Sequence, residues 1–260
     1  MSGSAVRAEV VKVFGLRSTW ALLLTANFVG LVIGVMTLHS VAASWFSLSS
    51  ADRMGFDPTA DALTGFQFTQ LALGAWGALV ATGEYAHGTI SSTLTAVPRR
   101  GNVYVAKLVV LASVSAPLSL ITVVATWTLG QTALRGQGLD ASWDDPGVVR
   151  ALVSATLVLT VVTVLGYGLG ALLRHTALAL SAMVAVLFLA WPAARAIESI
   201  TYLPDRWLIA NAADALVSTH PVTGPNALRT PTPGAAVLEI VVYLVVILGL
   251  GAWRFHRDPP

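Results

Sequence analysis

Long apolar runs alternate with short polar breaks along the whole chain. The runs cover residues 19–42, 63–83, 103–130, 148–173, 176–194 and 235–253. Each is near or above the roughly 20 residues that an α-helix needs to cross the hydrocarbon of a bilayer. Between Arg17 and Asp52 the one acidic or basic side chain is His39. Pro117 interrupts the third run and removes one helical hydrogen bond there. Arg174 and His175 alone separate runs four and five, which predicts antiparallel neighbours. The pattern predicts an all-α membrane domain spanning 1–260, with six transmembrane helices.

Three polar stretches carry patterns of their own. In residues 1–17, Val6, Val10, Val13 and Phe14 repeat on one helical face, which predicts an amphipathic N-terminal helix leading into the first span. Between runs two and three, Ala86, Ile90, Thr93, Leu94 and Val97 share a face, with Glu84, His87, Ser91 and Thr95 opposite. Pro98 restrains Val97, so this helix is expected to end near Ala96. Glu84 then stands at its N-terminus, where a carboxylate suits the helix dipole. Gly88 offers close approach of a partner backbone. Such a helix lies on a membrane surface or docks on a partner, and spacing leaves both open. Residues 195–234 are rich in proline, with room for a short helix over Ile209 to Val217.

Charged residues make up 11% of the chain, against about 25% in soluble domains, which decides for a membrane protein. The mean hydropathy of +0.74 agrees. Placing both ends in the cytoplasm puts nine Lys and Arg inside, at 7, 12, 17, 99, 100, 107, 174, 254 and 257. The other six, at 53, 135, 150, 195, 206 and 229, then lie outside, as the positive-inside rule favours. The high pI reflects these membrane-flanking charges, and no nucleic-acid partner is expected.

Catalytic motifs are absent from the sequence. There is no GxxxxGK[ST] loop to cradle ATP, no HExxH and no GxSxG. The chain has no cysteine, which excludes thiolate chemistry, and its five histidines lack ligand spacing. The expectation is a non-enzyme without a cofactor or metal of its own. Ionisable residues within the runs are rare; Glu239 is expected near a membrane interface, paired with an arginine. Asn27, Gln67 and Gln70 are candidate pathway-lining residues. Gly30 and Gly34, with the small residues of the second run, suit close helix contact, either within the chain or across a permease dimer.

Residues 84–107 carry E-Y-x-x-G-T-I, then L-T-A-V-P-R-R, then A-K. This resembles the type-2 ATP-binding-cassette (ABC) transporter permeases of bacterial form, in which the ATPase is a separate polypeptide. The matching positions are Glu84, Tyr85, Gly88, Thr89, Ile90, Leu94, Pro98, Arg99, Arg100 and Lys107. Glu9 to Trp20 is similar to that family's lead-in helix. The resemblance implies a cytoplasmic coupling helix between spans two and three that meets the ATPase. It assigns ATPase coupling to Glu84, Tyr85, Gly88, Thr89, Ile90, Pro98, Arg99 and Arg100. It also implies two ATPase subunits carrying ATP and Mg, a second permease subunit (homo- or heterodimer), surrounding membrane lipid, and a plasma-membrane location. The expected activity is export of an amphipathic drug, antibiotic, lipid or peptide. A membrane-embedded enzyme and a non-transport anchor or assembly subunit are the alternatives.

Overall fold

The computed structural model describes residues 3–15, 17–86, 88, 100–197, 201, 203–220 and 230–257. The described residues are helical, without a strand among them. The helices are α1 (Gly3–Gly15), α2 (Arg17–Ser44), α3 (Ser50–Gly55), α4 (Pro58–Ala62), α5 (Phe66–Ala86) and α6 (Arg100–Leu134). They continue with α7 (Val148–Leu173), α8 (Thr176–Val184), α9 (Ala190–Ala196), α10 (Leu203–Arg206), α11 (Ile209–Val217) and α12 (Pro233–Arg257).

Five helical stretches are long and apolar enough to cross a membrane: those built on α2, α6 and α7, the α8–α9 rod, and α12. These are the features of a multi-pass membrane protein. Exposed apolar side chains such as Phe28, Met36, Ile121, Val245 and Val246 line the outer faces of these helices. The second predicted run, now α5, is not among the five. Its 21 residues include Gln67, Gln70 and three glycines. It packs most extensively on α7, and also on α2 and α8, so neighbouring helices cover much of the surface that lipid would otherwise meet.

Small residues set these crossings. A Cβ on Gly77 would collide with the carbonyl oxygen of Thr163, and one on Gly166 with that of Gly74. Backbone thus meets backbone along the α5–α7 seam, the kind of approach that only small residues allow. Gly30 and Gly34 are used in the same way: their faces meet Thr69 on α5 and the Ala62 carbonyl of α4. Packing within the chain therefore accounts for them.

Several element ends have local causes. Asp57 caps α4, its Oδ1 accepting from the amides of Thr59 and Ala60, both at 3.0 Å. The turn that follows starts α5 at Phe66, three residues after the expected Leu63. Arg174 adopts φ 55 and His175 caps α8, giving the tight turn expected between runs four and five. The α8–α9 rod contains a π-helical turn at Ala185–Leu189, just before Pro192. A proline removes a regular amide donor, and π turns accommodate such breaks. The short helix expected over 209–217 is α11, which buries Ala212, Ala213, Ala215 and Leu216 against α7 and α12.

Candidate functional site

Four charged side chains close on one another where α1, α5 and α6 meet. Glu9 and Lys12 are one helical turn apart on α1, with Lys12 Nζ 2.9 Å from Glu9 Oε1. Glu84 stands in the last turn of α5, and its Oε1 lies 2.7 Å from Lys12 Nζ. Lys107 of α6 reaches both acids, at 2.8 Å from Glu9 Oε2 and 2.9 Å from Glu84 Oε1. The side chains of Lys107, Glu9 and Glu84 are 4%, 7% and 11% exposed, whereas that of Lys12 is 46% exposed. Charges this buried persist only when paired and hydrogen-bonded. Here each acid meets both ammoniums, and the four formal charges cancel.

Pairing favours the charged forms of Glu84 and Lys12. Burial works against the charge on Glu84, but the nearby Lys107 charge and the hydrogen bonds from Lys12 and Lys107 prevail, lowering its carboxyl. Burial likewise opposes the Lys12 ammonium, and the bonds to Glu84 and Glu9 hold it above its ordinary value. Glu84 sits at a helix C-terminus, where the dipole disfavours a carboxylate. The expectation of an N-terminal position fails because α5 continues to Ala86. The two lysines supply the compensation that the dipole does not.

Beside the cluster lies a cleft of about 680 Å³ between α1, α2, α5 and α6. Glu9, Lys12, Glu84 and Lys107 form its polar wall. Val13, Leu22, Trp76, Leu79 and Val80 form the apolar remainder, with Ser18 and Thr19 in the first turn of α2.

The other residues assigned to coupling fall in several places. Tyr85 lies under the Arg174 guanidinium, 5.0 Å from ring centroid to Cζ, and Arg174 donates to the Arg254 carbonyl at 2.6 Å. Gly88 has φ 66 and its amide donates to the Tyr85 carbonyl, so it turns the chain as α5 ends. That left-handed conformation is the physical reason for glycine there. Arg100 opens α6. Thr89, Ile90, Leu94, Pro98 and Arg99 lie outside the described residues, as does most of the helix expected to end near Ala96.

A second polar region adjoins the opposite end of α5. A cavity of about 430 Å³ is lined by Asp57, Asp61, Gln67, Gln70, Asp214 and Ser218, among others. Gln67 and Gln70 therefore share a cavity. Asn27 does not join them: it is buried on α2, with Nδ2 donating to the Leu23 carbonyl at 2.7 Å. Asp57 also ties α4 to the chain after α11, accepting from the Thr219 amide at 2.6 Å and its hydroxyl at 2.9 Å. Burial resists its charge, but bonds from the Ala60, Thr219 and Thr59 amides and the Thr219 hydroxyl prevail and lower its carboxyl. Asp214 lines the cavity with its side chain exposed there, and the desolvation imposed by the surrounding protein pushes its carboxyl up to about 6. Glu239 is buried on α12 with Oε2 unbonded among the described residues, and it feels the Arg206 charge.

Sequence reasoning singled out Glu84 and Lys107 but passed over Glu9 and Lys12 as a pair. The available signal was their spacing of three on a predicted helix. Among the described residues, no group of three or more His, Asp or Glu is placed to hold a metal ion. No family model matches the chain, and no curated protein matches it.

Proposed function

We propose that this chain is the membrane-spanning permease subunit of an ATP-driven ABC transporter, an exporter of amphipathic molecules. In this reading α5 is the sixth span, both termini are cytoplasmic, and α1 lies along the inner surface of the plasma membrane. A separate ATPase, in two copies with ATP and Mg, docks on residues 84–100. A second permease subunit completes the pathway.

The observation that carries the reading is the Glu9–Lys107–Glu84–Lys12 cluster. It joins the two stretches on which the family resemblance rests, Glu9 to Trp20 and Glu84 to Lys107. The segment proposed to receive the ATPase runs between Glu84 and Lys107. Both of its ends are thereby fastened to α1 through buried charges. A displacement of that segment is passed to α5, α6 and α1 together. The polar cavity at the far end of α5 lies about 20 Å along the helix from Glu84, and Gln67 and Gln70 would contact cargo there.

The test is purification of the tagged chain from its native membranes, followed by reconstitution into liposomes. The expected result is a stoichiometric ATPase whose hydrolysis is stimulated by an amphipathic compound that is moved in the same vesicles. A chain that purifies without ATP hydrolysis and acts alone on a lipid-linked substrate supports the enzyme alternative. One with neither property supports the anchor alternative.

A further inference from the structure

The cleft beside the charge cluster has the construction of a lipid seat. Its volume falls within the roughly 300–1,000 Å³ of small-molecule sites. One wall is apolar, with Leu22 and Leu79 each well exposed and Trp76 beneath them. The other wall carries both signs of charge. Lys12 has three N–H donors, of which Glu9 and Glu84 take two. Glu84 uses Oε1 for both lysines, and its Oε2 has no bond among the described residues. The hydroxyls of Ser18 and Thr19 likewise make no hydrogen bond among the described residues, and both residues face the cleft.

Charge decides the ligand class. An anionic headgroup would meet Glu9 and Glu84, and a cationic one would meet Lys12 and Lys107. A headgroup with a phosphate and an ammonium on one short linker satisfies both signs. We propose that the cleft binds a zwitterionic phospholipid, of the phosphatidylethanolamine type, from the leaflet in which α1 lies. Its phosphate accepts from Lys12, Ser18 and Thr19. Its ammonium donates to Glu84 Oε2. Its upper acyl chain lies along Leu22, Leu79 and Val80. The lipid is a resident ligand that braces α1 against α5, not cargo. The proposal rests on the chain being embedded in a bilayer and is independent of the ATP-driven reading.

The experiment is native mass spectrometry of the full chain, with equimolar phosphatidylethanolamine and phosphatidylglycerol in the detergent. The expected result is one retained phosphatidylethanolamine per chain, favoured over phosphatidylglycerol by about fivefold or more. Leu79→Trp fills the apolar part without touching the cluster and is expected to abolish retention. Ser18→Ala with Thr19→Val removes two headgroup donors and is expected to erase the preference while leaving the thermal transition in place. Equal retention of the two lipids, a preference for phosphatidylglycerol, or retention unchanged in Leu79→Trp would each overturn the proposal.

Discussion

Glu9 and Lys107, 98 positions apart in the chain, form a buried ion pair of 2.8 Å between α1 and α6. The pair closes a four-membered cluster in which the members differ in burial, and burial sets what each is worth. Removing one partner of a buried pair leaves the other charge uncompensated, at a cost of about 3–5 kcal/mol. An exposed ion pair contributes about 0–1 kcal/mol.

Lys107→Ala is therefore expected to lower stability by about 3–5 kcal/mol. Lys12→Ala, whose side chain is 46% exposed, is expected to cost about 1 kcal/mol or less. Thermal unfolding of the two variants in one detergent checks the ranking. Equal losses would contradict the burial argument.

The pH dependence of stability carries two opposite signs. Asp214 has its carboxyl raised from 3.8 to about 6, so its contribution is present below 3.8 and is lost as pH rises through about 6. Glu84 and Asp57 have lowered carboxyls. Their contribution is present above the ordinary carboxylate range and is lost as pH falls through their lowered values. Asp214→Asn is expected to flatten the decline in Tm between about pH 4 and pH 6 while leaving the acid limb unchanged. Melting curves from pH 3 to pH 8 test both parts. An unaltered decline in the variant would show that Asp214 is not its source.

At the α5–α7 seam, Gly166→Ala places a methyl group on the Gly74 carbonyl oxygen and forces the helices apart. Overpacking of this kind costs about 1–3 kcal/mol or more. Gly249→Ala meets nothing within 4 Å and is expected to be neutral or to gain up to about 1 kcal/mol in helix propensity. Comparison of the two melting temperatures is the check. A harmless Gly166→Ala would place the close contact elsewhere.

Asp57 holds the α4 cap and the Thr219 contact with one carboxylate. Asp57→Ala is expected to lose about 1–3 kcal/mol, combining a cap with charge-assisted bonds. Hydrogen exchange at the Thr219 amide is expected to accelerate, because its acceptor at 2.6 Å is gone. Unchanged protection at Thr219 would exclude this tie.

Helix count and limits were legible wherever an apolar run was long and its ends carried strong signals. Run four, 148–173, coincides with α7, and Ile209–Val217 is α11. The end of α5 was misread because Glu84 fell in register with His87, Ser91 and Thr95 as the polar face of a new helix. Gly88, with φ 66, lies beyond them and marks the turn. Small residues announced close packing at Gly30 and Gly34, but spacing does not say whether the partner is in the same chain. Gln67 and Gln70 reached one cavity while Asn27 turned into the protein, since polarity alone does not reveal which face a neighbour covers. The pairing of Glu9 with Lys107 is a tertiary contact, and nothing in local periodicity encodes it.

Docking of an ATPase on residues 84–100 is open to site-directed photo-crosslinking in native membranes. A photoreactive residue replaces Arg99 in one variant and Asp140, in the turn between α6 and α7, in another. Position 99 is expected to yield a covalent adduct whose partner is identified by mass as an ABC ATPase, while position 140 yields none. The adduct is expected to form in the absence of nucleotide and to change in yield when ATP is trapped on the partner. An ATPase adduct from position 140 rather than 99, or no ATPase adduct from either, would contradict that docking.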